Sequence, residues 1–352
     1  MEFPADFERF DERDWDTGPD GTVRLAVVGV GGFARRVVLP AIADADYCEP
    51  TVLISGSPST GELAAEQGCE LLDYEAYAAG DLADAYDAVY VATPNALHLP
   101  HAETAAALGK PVICEKPLEA TVERAERLVA ACEDAGVTLM TAYRMQTDPV
   151  VRRLRAFLAD EGIGRITHLH GDFTYPVLGG SRGPDQWRLD PELAGGGALA
   201  DVGVYPLNTA RYLLGADPVS ASGVTAGDGP FAGVDETVAF LVEFPDGVHG
   251  AFTASFTGPT DTRLAVSGSE GRVELVDAFQ PRTDRTLRIE TAAGAATFEG
   301  LGADEVREEF DYFAHCVLTD TTPEPDGGDG LTDVRTMAEV YRDAGLDVPM
   351  AG

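Results

Sequence analysis

The chain has 352 residues, 45% of them hydrophobic and only 8% aromatic, which is length enough for two domains, or one large one, around buried cores. Its 60 acidic against 25 basic residues give a formal charge of −35, which excludes a binder of nucleic acid or of an anionic membrane, because such a surface must neutralise phosphates. Only two of the basic residues are lysines, Lys110 and Lys116; acidic excess with arginine kept and lysine lost predicts the cytoplasm of a salt-filled cell, where a Debye length of roughly 3 Å screens self-repulsion.

The first 21 residues are acidic, and no apolar run in the chain reaches the roughly 18 residues of a membrane helix, so neither signal peptide nor membrane span is expected. Residues 1–21 read as an N-terminal arm. The apolar run Val23 to Val28 follows, and Gly29-Val-Gly31-Gly32-Phe33-Ala34 comes at once after it, with a helix predicted over Phe33 to Ala43. In that setting Gly29 makes a tight turn, Gly31 lets backbone approach a pyrophosphate and Ala34 allows close packing of helix on strand. The second strand, Thr51 to Ile54, ends where an NAD enzyme places a carboxylate on the ribose 2′-hydroxyl, yet here stand Ser55-Gly56-Ser57. Serine hydroxyls accept a 2′-phosphate, so NADP is expected as cofactor. Arg35 and Arg36 are either its counter-charges or surface residues.

Helices are predicted over Glu62 to Gln67 and Tyr74 to Ala79, and a strand over Asp87 to Ala92 ending in Thr93-Pro94-Asn95. At a strand's carboxyl end Thr93, Asn95 and the following His98 read as cofactor contacts; His98 and His101 have no third ligand at a sensible spacing, so no metal is expected. A helix, Leu97 to Leu108, leads to Gly109-Lys-Pro-Val-Ile-Cys-Glu-Lys-Pro117. Val112 to Cys114 is a short buried strand, placing Glu115 and Lys116 at its ligand-binding end. Thr121 to Ala135 has helical periodicity closed by Gly136, and Val137 to Met140 is the next strand, before Arg144. The repeated βα order predicts an α/β doubly wound parallel sheet over residues 22–148.

Beyond Pro149 a helix, Val150 to Ala159, gives way to alternating segments, Ile166 to Tyr175, Val234 to Phe244, Gly247 to Phe256, Arg263 to Ser267, Arg272 to Val276 and Thr286 to Glu290. They predict an α+β domain over 149–352 with a large, mostly antiparallel open sheet. The helix near Asp201 to Leu214 interrupts them, after Gly195-Gly-Gly197, and puts Asp201, Tyr205 and Asn208 at i, i+4 and i+7 on one face. The glycine run would let that face approach something closely; Asp201 is alternatively an N-cap and Tyr205 a core residue. Trp187, Arg188 and Arg182 precede the run and are either sugar contacts or loop and ion-pair residues. Two helices, Val306 to Leu318 and Leu331 to Ala344, flank a loop over Thr322 to Gly330. Cys48, Cys69, Cys114, Cys132 and Cys316 have no CxxC spacing and read as reduced thiols.

In this order Gly29-Val-Gly-Gly-Phe-Ala34, Ala92-Thr-Pro-Asn95 with His98, Gly109-Lys-Pro with Glu115-Lys-Pro117, and Gly195-Gly-Gly with Asp201-Val-Gly-Val-Tyr205 resemble the glucose-fructose oxidoreductase / inositol dehydrogenase (Gfo/Idh/MocA) family. The resemblance implies hydride transfer between nicotinamide C4 and a hydroxyl-bearing carbon of a sugar, in a cleft between domains. It implies that Tyr205 is the acid/base, that Lys116 orients hydroxyl and cofactor, and that Asp201 binds substrate; Arg144, Trp187 and Asn208 are further expected substrate contacts. Tyr205 stands where the inositol branch has His, which points to the aldose branch and oxidation at C1; the resemblance, taken with the composition and Ser55-Gly56-Ser57, implies D-xylose to its lactone. A tyrosine of pKa near 10 needs a cation or a helix amino end to serve as base at neutral pH. Another sugar, cyclitol or diol dehydrogenase, or a non-catalytic NADP sensor, is the alternative. The open sheet has too few helices to cover both faces, so a homo-oligomer, dimer or tetramer, is expected through it.

Overall fold

The computed structural model describes residues 13–15, 17–180 and 182–352. The chain forms two compact units, one gathering Trp15–Arg144 with Val306–Leu331, the other Met145–Glu305 with Thr332–Gly352. No helix among the described residues is long and apolar enough to cross a membrane. Most of the expected arm, 1–12 and 16, lies outside the described residues. Trp15 packs on the rings of Tyr47 and His315, with centroids 6.1 and 5.0 Å away.

The first unit alternates strands and helices: β1 (Val23–Val28), α1 (Ala34–Val38 continued by Leu39–Ala43), β2 (Cys48–Ile54), α2 (Thr60–Gln67), β3 (Glu70–Leu72), α3 (Tyr74–Ala78), β4 (Ala88–Val91), α4 (His98–Ala107), β5 (Val112–Cys114), α5 (Val122–Ala135) and β6 (Leu139–Thr141). All neighbours are parallel, in the order β3-β2-β1-β4-β5-β6. β1 is buried on both faces, as a central strand of a helix-covered sheet must be, which is why it reads as an unbroken apolar run. Thr121 caps α5 by accepting the Arg124 N–H, and Gly136 closes that helix with φ of 65°.

Phe310 and Phe313, on the helix Glu305–Thr319, are buried with Val27, Val38 and Tyr90 in this unit's core. The Phe310 and Tyr90 rings meet edge to face at 5.0 Å. A late helix therefore completes the first sheet's cover, and the single boundary after 148 does not describe the units: Val306–Leu331 groups with the N-terminal one.

The second unit begins with α6 (Pro149–Ala159), whose amino end Asp148 caps through the Val150 and Val151 N–H groups. Its sheet runs through β7 (Ile166–Thr174), β8 (Ser220–Ala226), β9 (Thr237–Glu243), β10 (His249–Ser255), β11 (Asp261–Gly268), β12 (Gly271–Val276), β13 (Arg285–Thr291) and β14 (Gly294–Leu301). The order is β14-β13-β12-β11-β7-β10-β9-β8, antiparallel except where β7 meets β10. Alternation is strict in β9, whose Val238, Phe240 and Val242 face inward while Ala239, Leu241 and Glu243 are exposed.

The helix α7 starts with a wide π-type turn, Leu199–Gly203, and continues as Val204–Leu214. The two unpredicted strands of this sheet, β8 and β14, are its edges: SASGVTA and GAATFEGL carry too few buried apolar side chains to show a period of two. The last helix, Gly327–Ala344, begins inside the expected loop because Asp326 accepts the Asp329 N–H at 2.8 Å and caps it.

Candidate active site

In the first unit the turn after β1 is built for close approach. Gly29 has φ of +93°, and a Cβ there would lie 2.8 Å from the carbonyl carbon and oxygen of Ala92, so only glycine fits. A Cβ on Gly31 would meet nothing within 4 Å, leaving room for a ligand against the backbone that opens α1. The Arg36 guanidinium lies over the loop, 2.9 Å from where a Gly32 Cβ would stand. Phe33 is half-buried and Ala34 is buried at the head of α1.

At the end of β2 the serines form a connected polar cradle. Thr60, fully buried, donates to Ser55 Oγ at 3.0 Å, the Ser57 amide donates to the same oxygen at 3.1 Å, and Ser57 and Ser59 hydroxyls lie 3.0 Å apart. Arg35 is tied into this cradle, donating from Nη2 to Thr60 Oγ1 at 2.8 Å and from Nε to the Val30 carbonyl at 3.0 Å. Ser59 and Thr60 were not singled out in the sequence; their signal is the polar run Ser57-Pro-Ser-Thr60 beyond the strand.

Beyond β4, Thr93 is buried and its Oγ1 has no hydrogen-bond partner, a spare polar atom beside the glycine turn where a cofactor group can use it. A Gly29 Cβ would sit 2.9 Å from the Thr93 methyl. Asn95 is also buried. His98 is placed differently from the expectation: it is fully buried, and its ring nitrogens face the carbonyls of Leu118 and Thr93 at 3.2 and 3.0 Å. Lying between these two carbonyls, it ties the Thr93 turn to the segment behind Lys116. His101 stacks on Tyr74, and burial, with His98 nearby, pushes its pKa down to about 4.

Glu115 accepts the Tyr90 hydroxyl at 2.7 Å and the Lys116 N–H at 3.2 Å, so its carboxylate steadies the strand end rather than standing open. Lys116 is half-buried and its peptide bond to Pro117 is cis. Behind it Glu119 is fully buried and receives Arg124 Nη2 at 2.7 Å, Arg124 in turn holding the Ala96 carbonyl. Lys110 donates to the Tyr86 carbonyl at 2.9 Å. Arg144 is buried.

In the second unit Asp201 and Tyr205 lie on successive turns of α7. Arg188 donates from Nε to Asp201 Oδ2 at 2.9 Å, and its guanidinium lies 4.5 Å from the centre of the Trp187 ring. Asp201, above all, holds the Arg188 cation firmly protonated, and Tyr175 and Tyr205 are within its electrostatic reach. Arg182 lies over the Tyr175 ring and donates to its hydroxyl. Tyr205 is buried against Phe173 and Phe279, at ring separations of 5.4 and 6.1 Å.

Asn208, three residues on from Tyr205 in the regular stretch Val204–Leu214, is buried and engaged within the unit, accepting from Gln146 at 3.0 Å and donating to Asp333 at 2.7 Å. The glycine run also has another reason. A Cβ on Gly196 would lie 2.2 Å from the Tyr341 hydroxyl and one on Gly197 2.1 Å from the Asp235 carbonyl oxygen, so the close approach is to this unit's own core.

Residues 23–143 match the model of an oxidoreductase family with an NAD-binding Rossmann fold, GFO_IDH_MocA, and residues 151–274 that of the GFO/IDH/MocA C-terminal domain. The chain is 46% identical over 339 residues to a D-xylose 1-dehydrogenase [NADP(+)] of Haloarcula marismortui, covering 94% of each chain. The aldose-aldose oxidoreductase of Caulobacter crescentus, solved with glycerol, superposes with a TM-score of 0.86 at 32% identity over 92% of this chain and 98% of that one. A 3-ketoreductase of Actinomadura kijaniata, solved with NADP and TDP-benzene, gives a TM-score of 0.77 at 28% identity, over 89% and 95% of the two chains.

Proposed function

The chain belongs to the GFO/IDH/MocA oxidoreductase family, and on that premise we propose that it oxidises an aldose at C1, D-xylose to its lactone, with NADP as the cofactor. The observation that carries substrate and cofactor is the likeness over nearly the whole chain to the Haloarcula marismortui enzyme of that activity. The open space at Gly31, the spare Thr93 Oγ1 and the serine cradle suit such a cofactor: Gly29, Gly31 and Gly32 would receive the pyrophosphate, Ser55 and Ser57 the 2′-phosphate, with Arg36 as counter-charge.

When bound, NADP supplies the hydride acceptor. Tyr205 takes the proton from the C1 hydroxyl as hydride leaves that carbon, which closes the lactone carbonyl with electrons balanced. Tyrosine is a poor base at neutral pH unless its anion is favoured, and Arg188, paired to Asp201 on the same helix, is a cation within electrostatic reach of it. Asp201 fixes that guanidinium and accepts a sugar hydroxyl, while Trp187 offers an apolar wall to the ring. Lys116 orients the reacting hydroxyl. Substituting Lys116→Ala and Tyr205→Phe is expected to lower kcat by about 10²- to 10⁴-fold each and leave NADP binding intact, by initial rates and fluorescence titration. Unchanged turnover in either variant would refute its role.

The protein works, on this reading, in a salt-rich cytoplasm, for which the charge of −35 and two lysines are the support. It acts as a homo-oligomer through the open face of its large sheet, where Val224 is 69% and Leu241 60% exposed beside Ala239.

A further inference from the structure

The first N–H groups of a helix have no partner within it and must find one elsewhere. In α7, the helix of Asp201 and Tyr205, no local side chain serves: the residue before it is Ala198 and there is no side-chain cap. Two residues distant in sequence take that place. Asp235 Oδ1 accepts the Gly197 N–H at 2.7 Å and Oδ2 the Leu199 N–H at 2.7 Å, while the Asp235 carbonyl accepts the Ala198 N–H at 2.9 Å. The Tyr341 hydroxyl donates to Asp235 Oδ1 at 2.8 Å and accepts from Gly197 and Ala200 at 3.1 and 3.3 Å.

Four consecutive N–H groups, 197 to 200, are thus met by one carboxylate, one carbonyl and one phenol. Asp235 and Tyr341 are both fully buried, so the bonds form where water cannot replace them. Gly196 and Gly197 are glycines because any Cβ would strike Tyr341 or Asp235. The cluster fixes where α7 begins, and Asp201 is the residue directly after its last bonded amide, Ala200. We propose that Asp235 and Tyr341 are positioning residues for the reaction, setting the height and rotation of the helix that presents Asp201 and Tyr205. A carboxylate buried this deeply is a costly way to secure a helix, since burial pushes its pKa up to about 6 against the hydrogen bonds that lower it. An apolar contact would hold the same segment in place without fixing its rotation.

The inference rests on Tyr205 as the acid/base, and the test separates the two. Tyr341→Phe, Asp235→Asn, Asp235→Ala and Tyr205→Phe are compared with the unchanged enzyme in molar salt, kcat being expressed per folded protein and the NADP dissociation constant measured by fluorescence. Tyr341→Phe changes no shape and removes three hydrogen bonds; Asp235→Asn keeps an acceptor for Gly197 but turns an amide towards the Leu199 N–H. Both are expected to lose about 10- to 100-fold in kcat, with sugar KM changed much less and NADP affinity unchanged, and Asp235→Asn to retain more than Asp235→Ala. A purely structural anchor would lower the melting temperature while the folded fraction kept its kcat, and that result overturns the proposal. If Tyr205→Phe loses turnover but Tyr341→Phe and Asp235→Asn do not, the positioning role falls alone. If Tyr205→Phe keeps turnover, the acid/base reading falls and takes the positioning role with it.

Discussion

Replacing Gly31 by alanine separates a glycine kept for a ligand from one kept for the fold. The new Cβ meets no atom within 4 Å, and Gly31 is not among the positive-φ glycines, so the fold accepts it. By restricting the unfolded chain the substitution should even stabilise, by about 0.4–1 kcal/mol. The same methyl occupies the space in which a pyrophosphate would approach the amino end of α1. Displacing one charge-assisted hydrogen bond of about 1.5–3 kcal/mol weakens NADP binding about 10- to 150-fold. Gly29→Ala is the contrast: at φ of +93° and 2.8 Å from the Ala92 carbonyl it should destabilise the unit itself. Thermal denaturation and NADP titration in molar salt read both quantities. Unchanged NADP affinity in a well-folded Gly31→Ala protein would refute the placement of the pyrophosphate.

Two further outcomes follow from the second unit. The Asp235 carboxyl is raised to about 6, so between the unfolded value near 3.9 and 6 the folded state holds a proton that the unfolded chain has released. Its contribution is greatest below pH 4 and is lost as pH rises through 6, about 3 kcal/mol in all; the stability difference between the enzyme and Asp235→Asn should shift by that amount across this window in denaturant titrations, and a difference flat with pH would contradict it. Leu241→Asp on the exposed sheet face should turn the oligomer into monomer in light scattering, each buried Leu side chain being worth about 1.5–3 kcal/mol; a monomeric unchanged enzyme would refute assembly through that face.

The parts of the fold visible in the sequence are those where one physical signal dominates. β1 reads as a buried run because both its faces are covered, and Gly29 to Ala34 reads as a turn for a dinucleotide because a strand precedes it and a helix follows. β8 and β14 are silent because edge strands bury too little to alternate. The role of His98 is hidden because its partners are two carbonyls, Thr93 and Leu118, and a backbone acceptor leaves no mark on composition.

Asp201 and Tyr205 lie on neighbouring turns of α7, whereas Asn208 is engaged by Gln146 and Asp333, partners too far away in sequence for the helical spacing to reveal. The glycine run was legible as a close approach; its object was not, because Asp235 and Tyr341 lie 38 and 144 residues beyond Gly197. The arginine-for-lysine bias singled out Lys116 as a residue, while the bonds of Glu115 to Tyr90 and of Glu119 to Arg124 around it emerge only from the packing of the strand end.

The central claim is tested most directly by initial rates in molar salt over a panel of D-xylose, D-glucose, other pentoses and inositol, each with NADP and with NAD. Oxidation of D-xylose with NADP faster than every other pairing, with the lactone as product, is the predicted result. Hydride transfer to NADP from glucose or inositol at least as fast as from D-xylose would contradict the assignment.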